Sequence, residues 1–250
     1  MKVKIKIPCV KCVADGSIER ESQELLYEYE LTDERVYSLN CNEGHETVVI
    51  FDTHVYELLF DMGLYALADG YSREAVANFA AAIERFHEFS INVFIAKSLS
   101  SYLYLDEFPK AWKGISSQSE RQLGAYVMLY LAVFKRSPEL MPQKNIEFRN
   151  NVIHKGKFPT VGEAMKYAES TFNYIKQKLV EMKKELDDEV LYVHDHSLRE
   201  YIIKNSGNCK HVVHWSELVT FKPLRPVEEI ETLSFKESFE KQTRQRIFYN

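Results

Sequence analysis

Long apolar runs are missing from this chain. The longest, Ala125 to Phe134, falls far short of the ~20 residues that a bilayer-spanning helix needs, so it predicts a buried helix and no transmembrane segment. Positive charge is not in excess either: 32 Lys and Arg face 37 Asp and Glu, a formal net charge of -5. General coating of polyanions is thereby disfavoured, and any contact with nucleic acid has to come from a local basic patch. The opening MKVKIKIPC has basic residues but no apolar stretch behind them, so no secretory signal is expected and a cytoplasmic location is. Internal repeats and low-complexity tracts are also lacking. Tryptophan is scarce, at 2, but Tyr and Phe stand at 15 each and apolar residues at 45%. A chain of 250 residues with that content buries a sizeable core, and disorder is not expected over most of it.

The periodicity divides the chain at about residue 53. Residues 1–52 carry short β-type runs, Lys2 to Ile7, Leu25 to Leu31, Val36 to Leu39 and Thr47 to Phe51, which predict one small antiparallel sheet. From His54 the spacing is helical, through Val55, Leu58, Leu59, Met62 and Tyr65, with a break at Asp69-Gly70 and Ser72 as the next N-cap. The second helix places Val76, Phe79, Ile83, Phe86, Val93 and Phe94 on its apolar face and leaves Glu84, His87 and Glu88 on another. A loop is expected over Phe108 to Ser117, then a capping box of Ser119 and Gln122 before the apolar helix ending near Phe134. A short helix from Gln143 should end at Gly156. Thr160 and Glu163 form a second capping box before the last helix, through Ala164, Tyr167, Phe172, Ile175 and Leu179. The expected domains are 1–52, 53–188 and a C-terminal extension, 189–250, whose pattern suggests only a strand over His211 to Phe221 and a polar helix after Pro223 and Pro226.

Of the four cysteines, three lie in the first 41 residues beside a histidine. Cys9-Val10-Lys11-Cys12 puts two thiolates on a tight turn, and Cys41-Asn42-Glu43-Gly44-His45 offers a second pair of soft ligands. In a reducing compartment this favours metal ligation over disulfides. The expected arrangement is a zinc ribbon, with Cys9, Cys12, Cys41 and His45 on β-turns near Gly16 and Gly44. With four protein ligands the zinc has no open position and its role is structural. Cys209 stands apart and is expected as a buried thiol.

The segment Phe148-Arg149-Asn150-Asn151-Val152-Ile153-His154-Lys155-Gly156 sets Asn150 and His154 four residues apart, on one helical face, with Arg149 beside it. Arginine offers a permanently charged fork suited to phosphate, and histidine exchanges a proton near neutral pH. That pairing suits phosphodiester cleavage in RNA: the imidazole deprotonates the 2′-hydroxyl, which attacks phosphorus while the guanidinium stabilises the charge on the phosphate oxygens. No metal is needed for this route. Lys135, Arg136, Lys144, Lys155 and Lys157 outnumber Glu139 and Glu147 around it, a local basic patch in which Lys144, Lys155 and Lys157 are the expected substrate-binding residues.

Arg-Asn-x-x-x-His, within helices spanning roughly residues 53 to 185, resembles the Arg-x4-6-His motif of the HEPN-domain ribonucleases. The fold implied is mainly α, a HEPN-like helical bundle preceded by a small β zinc ribbon. The activity implied is that of a metal-independent endoribonuclease, in many such proteins a toxin or antiphage defence effector. It acts as a homodimer with two copies of Arg149 and His154 facing one another across a cleft. Asn150 would orient the histidine or the phosphate, and Glu84 is an acidic partner at the same site. An antitoxin or another protein is a further partner, and no membrane is involved. The alternative is a non-catalytic module that binds RNA or protein through the same helical domain and carries a structural zinc ribbon, which the acidic net charge favours.

Overall fold

The structure is a computed structural model that describes residues 2–7, 9–16, 25–32, 36–205, 212–215, 220–244 and 248–249. The chain is mainly helical, with short strands, and divides into two compact units. The first comprises Met1–Thr53, Asp195–Leu218 and Gln245–Asn250; the second comprises His54–His194 and Val219–Arg244.

In the first unit, strands β1 (Lys2–Ile7), β2 (Leu25–Glu30), β3 (Val36–Asn40) and β4 (Glu46–Phe51) form where the β-type runs lie. They do not make one antiparallel sheet, however. Among the described residues there are two three-stranded sheets, ordered β2-β1-β6 and β3-β4-β5, each completed by a strand from late in the chain: β5 (Val212–Trp215) or β6 (Phe248–Tyr249). β1 pairs antiparallel with β2 from Lys2↔Glu30 to Ile7↔Leu25, and with β6 at Lys2↔Tyr249 and Val3↔Phe248. β4 forms a hairpin with β3 and runs parallel to β5, with Val48 opposite Val212. The burial patterns give the reason. β3 alternates between buried and more exposed positions, whereas Thr47 to Phe51 of β4 are all buried, as expected of a central strand covered on both faces. A hairpin supplies only one neighbour for such a strand, so the second comes from far along the chain. Val48, Ile50 and Leu198 cluster here, with Val36 and Ile202 against them. Of the strand expected over His211 to Phe221, Val212–Trp215 forms β5, residues 211 and 216–219 lie outside the described residues, and Phe221 is fully buried among the aromatic rings of the second unit.

The second unit is built on the hairpin of α2 (Val55–Ala68) and α3 (Ser72–Ser98), which turns at Gly70 in the left-handed region (φ 83°). α4 (Ser101–Trp112), α5 (Ser119–Phe134), α6 (Gln143–His154), α7 (Val161–Asn205, of which the residues from Asp195 belong to the first unit), α8 (Val227–Thr232) and α9 (Phe235–Arg244) follow. Tyr56, Phe60, Phe79, Phe86, Phe94, Tyr126, Tyr130, Phe172 and Phe221 form one aromatic core. Gly63 permits close approach of α2 and α3: a Cβ there would lie 2.5 Å from the Phe79 ring.

Several local expectations are corrected. The loop expected from Phe108 starts only after Trp112, because α4 continues through Pro109. Ser72 and Ser119 are first helical residues, with Tyr71 and Gln118 as their N-caps, and Gln122 donates to the Ser116 carbonyl at 2.5 Å instead of closing a capping box. α5 is only half buried: Tyr126 and Tyr130 face the core while Met128 and Leu131 are exposed. His87 is buried rather than set on a polar face. The Thr160–Glu163 box does form, with Thr160 N–H donating to the carboxylate at 2.8 Å and Glu163 N–H to Thr160 Oγ1 at 3.2 Å. Gly156, at φ 72°, ends α6 as read from the sequence. α7 continues past its charged stretch with a kink at Leu186. Among the described residues no helix is long and apolar enough to cross a membrane.

Candidate functional site

Each unit holds one of the predicted clusters. In the first, Cys9 is the N-cap of a short helix, α1 (Val10–Ala14), and Cys12 lies inside it. The first half-site is therefore one helical turn rather than a β-turn, with Val13 N–H donating to the Cys9 carbonyl at 3.0 Å. Cys41 and His45 occupy the tight loop of the β3–β4 hairpin, where Cys41 N–H donates to the His45 carbonyl at 3.1 Å and Gly44 N–H to the Cys41 carbonyl at 2.9 Å. Gly44 takes φ 75° there, a conformation that a side chain would strain.

The four donor atoms lie within 4.8 Å of one another. Cys9 Sγ is 3.8 Å from His45 Nδ1, Cys12 Sγ 3.8 Å from Cys41 Sγ, and Cys12 Sγ 3.3 Å from His45 Nδ1. Two thiolate ligands on ~2.3 Å tetrahedral arms sit ~3.8 Å apart, whereas a disulfide brings its sulfurs to ~2.05 Å. The set can therefore hold a metal ion. Burial, followed by the adjacent sulfurs, pushes the Cys12 thiol up to about 12. Burial raises Cys41 too, but the backbone N–H groups of His45 and Glu43 outweigh it and bring that thiol below its usual value. Three thiolates this close need a cation to coexist. Cys209 lies outside the described residues.

In the second unit, α6 and α3 bring Glu84, Arg149, Asn150 and His154 together along a cleft of about 470 Å³. Val152 is fully buried and Phe148 packs on Tyr167, which fixes α6 and leaves Arg149 and Asn150 half-buried and His154 exposed. Arg149 is the hub of the set. Its Nη2 donates to Glu84 Oε1 at 2.5 Å, its Nη1 to Asn150 Oδ1 at 3.0 Å, and Nη1 lies 3.4 Å from His154 Nε2. Because a guanidinium only donates, that last contact makes Nε2 the unprotonated nitrogen of His154. Glu84 thus stands at the site as a partner of Arg149.

The expected basic patch is largely occupied by other contacts. Lys157 pairs with Glu163 at 2.6 Å and sits over the Phe148 ring, Arg136 pairs with Glu181, and Lys135 donates to the Ala132 carbonyl at 2.6 Å. Lys144 and Lys155 are exposed, in the first turn of α6 and at its C-cap.

Other lining residues escaped the sequence reading: His87, Gln122, Asn145, Tyr167 and Tyr174. The His87 ring stacks on Tyr126, its centroid 4.4 Å away, and Nε2 shares a 2.8 Å hydrogen bond with the Tyr174 hydroxyl. Burial pushes this imidazole down to about 3, so it is neutral at physiological pH. Burial likewise raises the Tyr167 and Tyr174 hydroxyls, which stay protonated. The available signals were the one-turn step from Glu84 to His87 and the two-turn step from Tyr167 to Tyr174, each of which sets two residues on one face. Comparison with family models, with curated proteins and with solved structures finds no match for this chain.

Proposed function

We propose that the helical unit is a metal-independent endoribonuclease of the HEPN type, and that the Cys3His cluster of the other unit is a structural zinc site. The nuclease reading is carried by the convergence of Arg149, Asn150, His154 and Glu84 on one cleft. His154 Nε2 exchanges its contact with Arg149 for the ribose 2′-hydroxyl and removes its proton. The 2′-oxygen then attacks phosphorus and expels the 5′-oxygen, leaving a 2′,3′-cyclic phosphate. Glu84 and Asn150 orient the Arg149 fork and use only part of its five donors, which leaves N–H groups for the phosphate oxygens.

The departing 5′-oxygen needs a proton, and His87, neutral until about pH 3, is not the donor. A second copy of His154 across a homodimer cleft fills that role. Leu140 and Ile146, exposed apolar residues lining the cleft, give such a partner a surface to cover. For the metal, three thiolates and an imidazole in tetrahedral spacing are the donors that zinc takes, and four protein ligands leave no position for a reacting water.

The test is cleavage of total RNA and tRNA by the purified protein in buffer without magnesium. Wild type should give fragments ending in 2′,3′-cyclic phosphate, and His154→Ala and Arg149→Ala should each lower the rate at least ~100-fold. A folded protein whose RNA affinity falls on changing Lys144 and Lys155, but which cuts nothing, would be a binding module instead.

A further inference from the structure

The reacting groups occupy only part of their cleft, and the rest has a different chemistry. Beyond Glu84, Arg149, Asn150 and His154, the wall is formed by Ile83, Leu123, Met141 and the buried rings of His87, Tyr167 and Tyr174. His87 is uncharged and its Nε2 is taken by Tyr174. Gln122, which also lines the cleft, is taken up on both sides: Nε2 by the Ser116 carbonyl and Oε1 by Arg85 at 3.1 Å. Asn145 differs. The residue is half-buried at the cleft wall, and its Nδ2, shut off from solvent, has no hydrogen-bond acceptor among the described residues, so a rotation of the side chain is what presents it to the cleft. A desolvated amide donor left unpaired is destabilising, and few native polar groups are left that way without a role.

A phosphate and its ribose fit the charged part of the cleft and leave apolar and aromatic walls facing water. An uncharged, mostly apolar pocket with one orphaned donor, next to groups suited to phosphate, matches a planar heterocycle that carries an acceptor on its edge. We infer that this inner part of the cleft is a nucleobase subsite, in which the base of a nucleotide next to the scissile phosphate packs on the Leu123, Met141 and Tyr167 wall and, once the Asn145 side chain turns towards it, accepts a hydrogen bond from Nδ2. The inference deepens the ribonuclease reading and rests on it for the identity of the ligand.

The experiment is calorimetric titration of the full chain with uridine, cytidine, adenosine and guanosine 3′-monophosphates, and with ribose 5-phosphate as the probe that lacks a base. At least one base-bearing probe should bind ten times or more tighter than ribose 5-phosphate. Asn145→Asp, which puts an acceptor where the donor was, and Leu123→Trp, which fills the pocket from another helix, should each remove most of that difference in a protein of unchanged helical circular dichroism. Equal affinity for all probes, no measurable binding of any, or tight base binding insensitive to both substitutions overturns the subsite. Cleavage assays on the same preparations separate the two readings. Base-selective binding without cleavage would sink the nuclease and leave the subsite, whereas cleavage without base-selective binding would do the reverse.

Discussion

The two units of this chain are held together by different physics. The helical unit buries a contiguous set of large rings, among them Phe60, Phe79, Phe86, Phe94, Tyr126 and Phe172, each under 2% exposed. The sheet unit has a small cluster around Val48, Ile50 and Leu198 together with a knot of four donor atoms. Apolar burial stabilises in proportion to area, so a thin sheet gains little from it, while one tetrahedral ion contributes ~10–16 kcal/mol in small metal domains. On the structural-metal reading proposed above, one unit is stable by composition and the other by ligation, and treatments that touch only one of these should pull them apart.

The largest effect is expected from the metal. Chelation, or Cys12→Ser, should unfold the sheet unit while the helical circular dichroism signal largely persists, and elemental analysis of the untreated protein should find one zinc per chain. A sheet unit whose amide spectrum ignores chelation would end the ligation account. The converse is Phe60→Ala, which empties a fully buried site packed against Phe79, Phe172 and Phe221. It should cost the helical unit ~3–5 kcal/mol in denaturant midpoint analysis and leave the zinc content unchanged.

Acidity gives the smallest effect but separates the units by sign. Burial pushes Asp61 up to about 7, against the hydrogen bonds from Thr220 and the charges of Arg225 and Lys241, which lower it. Its value in an unfolded chain is ~3.9, so the folded state binds the proton more tightly. The resulting stability is complete below about pH 4 and is lost as pH rises through about 7. With the proposed zinc bound, the sheet unit should run the other way, because protonation of thiolate ligands releases metal. Unfolding curves from pH 5 to pH 8 should show the helical transition falling with pH, and Asp61→Asn should flatten it. A wild-type profile that is already flat would show that Asp61 does not titrate in this range.

What was legible in the sequence follows the same division between local and distant causes. The four early strands, each half of the Cys3His set and the Thr160–Glu163 cap are set by neighbours within a few residues, and periodicity or spacing exposes them. The split into two sheets was not visible, because β5 and β6 reach their partners across most of the chain and a parallel pairing leaves no hairpin signature. His87 was misplaced for a related reason. Its own helix put it on a polar face, and only Tyr126 and Tyr174, from α5 and α7, enclose it. Arg149, Asn150 and His154 could be read as a set because they share one helix, whereas the Asn145 donor has meaning only once the cleft wall is seen.

The pairing of β1 with β6 also sets an order of events during synthesis. All four metal ligands have been made by residue 45, so the ion can be bound early. The second neighbour of β1, however, is not made until residues 248 and 249. At about 5–20 residues per second, β1 waits roughly 10–50 seconds with one edge unpaired, and unpaired edges are where nascent chains join one another. Ribosomes crowded on one message therefore expose this protein to cross-pairing most in the interval before β6 is made.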